Sequence, residues 1–394
     1  MKFSIRNYTR LARAVTTQDV PVYAHFGVTH RCNLTCKMCG IWRYGNAKEE
    51  LSIAEVTEVA KRMKRLGVVQ VSLGGGEPFA REDLADLVHC FVKEGLNTRV
   101  LTNGIGINKA QLDRMLDEGV RNFSISLDSL YPERFDYICE YEGAWDEAVQ
   151  TMVHIGRRLH GVRGALPTIN CVVSNLNLEE LPDIVRFAKD IGFAVSLLPI
   201  ELLDNEKDGV KNWEARFIRH RPEMGLHSQD SAEQVKQRVD RAYDQIIRMK
   251  KEGWPILNST KYLEASRQYL KTGRFPAEGC DAGKLYFSIS PNGQFTICHR
   301  TKHQYVSFLD PGFEEYFHSA AYERTRLMEA GSCEGCMRAC WIDTSAMFRH
   351  LQGFFETAQL SLKQRVYDKP TWEKAERWKR LEPISIVPEL APAK

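Results

Sequence analysis

Three cysteines near the start of the chain stand in the run Cys32-Asn33-Leu34-Thr35-Cys36-Lys37-Met38-Cys39, a CX3CX2C loop. Thiolates at such short spacings hold iron–sulfur clusters. Three of them are one ligand short of what a four-iron cluster takes, which leaves one iron open to an exogenous ligand. A closed structural zinc site would bring a fourth ligand. Spacings of four and three would also line up three small apolar side chains on one helix face, and free cysteine is often buried. Asn33 opposes a helix, however, and residues 22–28 before the loop read as a strand ending in a turn. A loop after a strand is where a cofactor site belongs in an α/β protein.

A second cysteine set lies far downstream. Cys280 and Cys298 flank a hairpin containing Gly293, giving CX12GX4C, and Cys333-Glu334-Gly335-Cys336 is a CXXC followed by Cys340. Two distant pairs converging through a hairpin are, in isolation, a zinc-ribbon pattern. Cys90, Cys139 and Cys171 read as isolated, buried thiols.

The first loop, together with Gly74-Gly75-Gly76-Glu77-Pro78 after the second strand, resembles the radical S-adenosylmethionine (SAM) enzymes. The resemblance implies a [4Fe–4S] cluster on Cys32, Cys36 and Cys39 whose open iron binds the amino and carboxylate groups of SAM. It further implies reductive cleavage of SAM to a 5′-deoxyadenosyl radical that abstracts a hydrogen atom from an organic substrate. Gly75, Gly76 and Glu77 match the motif that contacts the SAM amino group. Ser126 and Asp128 at the end of the fourth strand, Asn170 on the fifth and Leu198 after the sixth occupy positions that contact ribose and adenine in similar enzymes. Asp128 resembles a sugar-hydroxyl acceptor; its other reading is an N-cap for a helix at Tyr131-Pro132-Glu133. Thr102 and Asn103 end the third strand and line the same pocket. Met38 stands where many members place an aromatic residue.

The downstream cysteines resemble the SPASM/twitch domains, which implies an auxiliary [4Fe–4S] cluster. CX2CX3C stands where CX2CX5CX3C is usual, and no cysteine follows Cys340. Five thiolates cannot close two four-ligand clusters. One auxiliary cluster is therefore expected, on Cys280, Cys298 and two of Cys333, Cys336 and Cys340, with Cys333 and Cys336 favoured by similarity.

These residues must be positioned by a larger framework. Between about residues 20 and 203, short β-rich runs alternate with helical periodicity, which predicts an α/β domain with a parallel sheet. Six such units fit a partial (β/α)6 TIM-like barrel, the core fold of the resembled family, with a Rossmann sheet as the rival; in either, functional residues sit at the C-terminal strand ends. The expected organisation is an N-terminal amphipathic segment (1–19), the radical SAM core (20–203), a helical connection (204–275), a small cysteine-rich twitch/SPASM-like module (276–345) and a helical, then Pro-rich tail (346–394). In the module, Pro291-Asn292-Gly293 marks the hairpin turn.

Composition bounds the rest. A net charge of +3 over 394 residues implies no polyanion partner, and no basic stretch interleaved with aromatics points to nucleic acid. Clustered cysteines without a secretory apolar region favour a reducing cytoplasm. No run of 18 apolar residues is present, so no transmembrane span is expected. Lys2, Arg6, Arg10 and Arg13, with Phe3, Leu11 and Val15, make the first segment amphipathic; it is expected to pack on its own domain, with peripheral membrane contact as the alternative.

The expected function is small-molecule oxidation or rearrangement in a biosynthetic pathway, with a flavodoxin or ferredoxin as electron donor. Maturation of a ribosomal peptide is the alternative. Against it, the residues before the first strand are too few for a separate leader-binding domain. A non-catalytic iron–sulfur or zinc scaffold is a third class, for which a SAM amino-group pocket would have no use.

Overall fold

The computed structural model describes residues 5–17, 20–44, 50–200, 231–275, 280–298, 306–333, 335–349, 356, 360 and 369–380. Six parallel strands, β1 (Tyr23–Thr29), β2 (Gln70–Gly75), β3 (Asn97–Thr102), β4 (Asn122–Ser126), β5 (Thr168–Val173) and β6 (Ala194–Pro199), pair in sequence order. A Rossmann sheet reverses its order at a switch point; this sheet runs from β6 to β1 without reversal, as a partial (β/α)6 barrel does.

The alternation of residues explains the layers. Ala24, Phe26, Val71, Leu73, Val100, Phe123, Ile125 and Ile169 are fully buried against the helices. The opposite face carries His25, Ser72, Arg99, Ser124, Asn170 and Ser196 in the same strands, so the bore is polar and the outer layer apolar. The helices have explicit stops and starts. Ser52 and Glu55 form a capping box on α2 (Ile53–Leu66), and Gly67 ends it at φ 114°.

The cysteine-rich module is continuous with this sheet. Its strand β7 (Tyr286–Ile289) pairs in parallel with β1, placing Tyr286 beside Tyr23 and Ser288 beside His25. β8 (Phe295–Thr296) then turns back antiparallel, through the turn at Gly293 with φ 78°. A cluster of Phe287, Phe295, Phe308, Phe313 and Phe317 fills the space behind the hairpin.

At the N-terminus, α1 (Ile5–Thr17) lies against the domain. Ala14 is fully buried and Arg10 donates to the Lys64 carbonyl over 2.9 Å. Lys2 and Phe3, the side chains of Arg6 and Val15, residues 204–230 of the connection and the Pro-rich end of the tail lie outside the described residues. Among the described residues, no helix is long and apolar enough to cross a membrane.

Candidate functional site

Cys32, Cys36 and Cys39 are half-buried on the loop that leaves the C-terminal end of β1. The Cys39 amide donates to the Cys36 carbonyl over 3.0 Å, a tight turn that holds the last two cysteines together. The loop is tied on three sides. Asn33 donates to the Ile105 carbonyl over 2.9 Å and accepts from Asn103 over 2.8 Å. Lys37 donates its amide to Ile138 O over 2.9 Å, and its ammonium pairs with Glu140 at 2.9 Å above the Tyr137 ring. Thr35 donates to the same Glu140 carboxylate over 3.0 Å. Burial pushes the Cys32 thiol up to about 11, with Glu77 and Cys36 adding to the shift.

The glycine run explains itself sterically. Gly75 has φ 117°, and a Cβ there would lie 2.2 Å from the Thr29 carbonyl oxygen. A Cβ on Gly76 would lie 2.0 Å from the Arg31 carbonyl oxygen. The turn after β2 therefore presses directly on the start of the cysteine loop, which only glycine permits. Its amides are spent there: Gly76 donates to Thr29 O over 2.7 Å and Glu77 to Arg31 O over 2.8 Å.

Glu77 points inward. Its carboxylate accepts from Thr102 Oγ1 over 2.8 Å, the Asn103 amide over 2.7 Å and the Phe79 amide over 3.1 Å. Burial raises it to about 7 despite these donors. The side chain thus ties the β2 turn to the end of β3.

The remaining predicted contacts gather at the ends of β4, β5 and β6. Ser126, Asn170 and Ser196 stand opposite one another, and Leu198 is opposite Val172. Asp128 is not a helix cap: the cap position of the next helix, Pro132–Cys139, is Tyr131, and its side chain makes no capping bond. Instead Asp128 Oδ1 accepts from the Val172 amide over 2.7 Å, and burial raises the carboxyl to about 7. Among the described residues Oδ2 has no hydrogen-bond partner. Met38 packs against the Ile138 and Ile200 cluster, as Val172 does, which joins the cysteine loop to this second group.

Cys139 departs from the expectation of an isolated thiol. It is buried at the end of the helix Pro132–Cys139, and the nearby Cys36 thiol, ahead of burial, pushes its thiol up. The helix C-terminus that receives Lys37 brings it there, and no local spacing announces that. Cys90 and Cys171 are buried as expected, Cys171 on the helix-facing side of β5.

In the second module, Cys280 Sγ lies 3.0 Å from Tyr286 Oη, itself 3.0 Å from Ser345 Oγ. The Gly335 amide donates to Cys333 Sγ over 3.4 Å, and Cys336 is buried nearby, within electrostatic reach of Tyr286. Cys298 follows β8 and is half-buried against the same core. Cys340 lies in the helix Ala339–Arg349; its side chain lies outside the described residues. Among the described residues no three His, Cys, Asp or Glu side chains converge on a single-ion site. A four-iron cluster holds its thiolates further apart than one ion does, and two sets of thiols outside disulfides, with amide donors aimed at sulfur, fit such clusters.

Residues 27–188 match the Radical SAM superfamily. A PqqA peptide cyclase of Rhizobium meliloti (strain 1021) is 34% identical over 163 residues, covering 41% of this chain and 42% of that protein. The match thus spans less than half the length of this curated relative. The structure of Streptococcus suis SuiB bound to S-adenosylmethionine aligns with TM-score 0.56 at 14% identity, over 84% of this chain and 74% of that one. SuiB bound to its precursor peptide SuiA aligns with TM-score 0.56 at 13% identity, over 84% and 75%. These two likenesses are of fold.

Proposed function

We propose, from the match of residues 27–188 to the Radical SAM superfamily, that the chain is a peptide-modifying enzyme that uses a [4Fe–4S] cluster, SAM and an auxiliary cluster. When bound, these groups supply an electron, a 5′-deoxyadenosyl radical for hydrogen abstraction and an acceptor for the electron left on the product. Cys32, Cys36 and Cys39 would hold the first cluster. Cys280, Cys298, Cys333 and Cys336 would hold the second, with Cys340 as the alternative ligand.

The similarity to PqqA peptide cyclases carries the peptide reading and places it ahead of the small-molecule substrate that the sequence suggested first. The geometry supports the redox part. β1 runs from Tyr23, beside Tyr286 and Cys280, to the loop of Cys32, so the two cysteine sets lie at opposite ends of the strands. The seven residues of β1 between these ends span about 20 Å, alongside the polar bore. The chain's own residues hold and orient: Asn33, Asn103 and Glu77 fix the cysteine loop and the glycine turn, and Asp128 Oδ2 is available to accept from a hydroxyl. Thiols outside disulfides and a low-potential cluster call for a reducing compartment and a flavodoxin- or ferredoxin-like donor.

The test is anaerobic reconstitution with iron and sulfide, then reduction with SAM and a panel of short precursor peptides. Formation of 5′-deoxyadenosine together with loss of two hydrogens from a peptide is the expected result. 5′-Deoxyadenosine formation that responds to small metabolites and to no peptide overturns the peptide reading. A reconstituted enzyme that makes none under any condition overturns the radical reading.

A further inference from the structure

Among the described residues, the bore-facing strand positions hold a positive charge without a negative one. Arg99 lies on β3 and faces inward, and its Nη1 donates to Ser124 Oγ over 2.9 Å and Thr168 Oγ1 over 3.1 Å. Both partners are neutral hydroxyls. Its Nε is buried without a hydrogen-bond partner, and among the described residues Arg99 has no carboxylate partner. The bore-facing positions of β1 to β7 carry hydroxyls, amides, His25, Arg99 and a few glycines and apolar side chains such as Leu101 and Leu198, and no Asp or Glu. Glu77, the nearest motif carboxylate, is turned to Thr102 and Asn103.

Neighbouring groups do not discharge this site. Burial lowers Arg99 only to about 10, so it stays charged at neutral pH. His25, two strands along in the same register on β1, is held down at about 4 by burial and then by Arg338; it is a neutral imidazole, near Ser288 Oγ at 3.4 Å. An enclosed charge with no partner is costly, and an unsatisfied buried donor calls for an explanation. The edge that Arg99 leaves unused, Nε with Nη2, is the one a guanidinium offers to a carboxylate in a two-point contact.

We propose that Arg99 binds a carboxylate of the substrate inside the bore, between the two cysteine sets. This rests on the proposed enzymatic function for the meaning of "substrate", and the binding itself is measurable without turnover. An acidic side chain and a C-terminal carboxylate share this chemistry. Three probes separate them: N-acetylglutamate α-amide carries only the side-chain acid, N-acetylglutamine only the terminal acid, and N-acetylglutamine amide neither.

Equilibrium dialysis of the reconstituted full chain against each radiolabelled probe gives the test. One acid is expected to bind at least about tenfold more tightly than the neutral amide, the range of a charge-assisted contact. The acid that wins identifies the source. Arg99→Met should erase the preference, and Arg99→Lys should keep part of it, since charge persists while the fork is lost. Thermal melts of both variants report folding; if Arg99→Met does not fold, the Arg99→Lys result decides. Equal binding of the three probes, an acid preference unchanged in the folded variants, or tighter binding of inorganic phosphate than of either acid overturns the proposal. Arg99-dependent acid binding in a protein that never makes 5′-deoxyadenosine would sink the enzymatic reading and leave this one standing.

Discussion

The amide of Glu77 donates to the carbonyl of Arg31 over 2.8 Å, one residue before the first cysteine of the loop. The turn after β2 is thereby fastened to the cysteine loop by backbone alone. Side chains cannot intrude: the Cβ that any other residue would bring to position 76 falls 2.0 Å from that same carbonyl oxygen.

Gly76→Ala should therefore act on the loop rather than on the fold. The clash is with backbone, which cannot rotate away, so the Arg31–Cys32 segment must move. The expected result is loss of most iron from the first site, with the second module still loaded and the global melting temperature lowered by a few degrees. Iron counting and circular dichroism check it, and a fully loaded variant would contradict the packing described.

Replacing Cys32, Cys36 and Cys39 together by Ala should lower iron from about eight to about four per chain and abolish 5′-deoxyadenosine formation. The remaining iron reports on the downstream module. Zinc there in place of iron would make Cys280, Cys298 and their partners a structural zinc site.

Asn33 links two neighbours, accepting from Asn103 and donating to Ile105 O. Asn33→Ala and Asn103→Ala should each cost about 1 kcal/mol. Because they share one hydrogen bond, the double variant should cost less than the sum. The loop lies at the candidate SAM site, so SAM affinity should fall with stability. Strict additivity in denaturant titrations would show that the bond does not hold the loop.

Much of this was legible in the sequence because local pattern encodes it. The β-rich runs Val69–Leu73 and Thr168–Val173 announce two of the strands, and Pro291-Asn292-Gly293 announces the hairpin. Pairing across the chain was not legible. Nothing local says that Tyr286 lies beside Tyr23, or that Cys139 reaches Cys36, since both depend on where distant elements dock. Glu77 was found as a motif residue, but its inward orientation follows from Thr102 and Asn103 on another strand. Arg99 reads locally as one charge inside a β-rich run; its signal is a cation on a face where every strand is otherwise neutral.

Asp128 gives a prediction in pH. Burial raises its carboxyl to about 7 from an ordinary 3.8, so the folded chain favours the protonated form. The unfolded chain releases that proton first as pH rises. Stability is therefore lost from about pH 4 up to about pH 7 and is level above that. Glu77 acts in the same sense, from 4.5 to about 7, and His25, lowered to about 4, acts in the opposite one. Both cancel when wild type is compared with Asp128→Asn, which keeps an oxygen for the Val172 amide. The variant should gain relative stability across that window, by at most about 4 kcal/mol for a group this buried. Denaturant titrations of the metal-free chain at several pH values measure it. Parallel curves for the two proteins would mean that Asp128 is already ionised in the folded state, held by a group other than the Val172 amide.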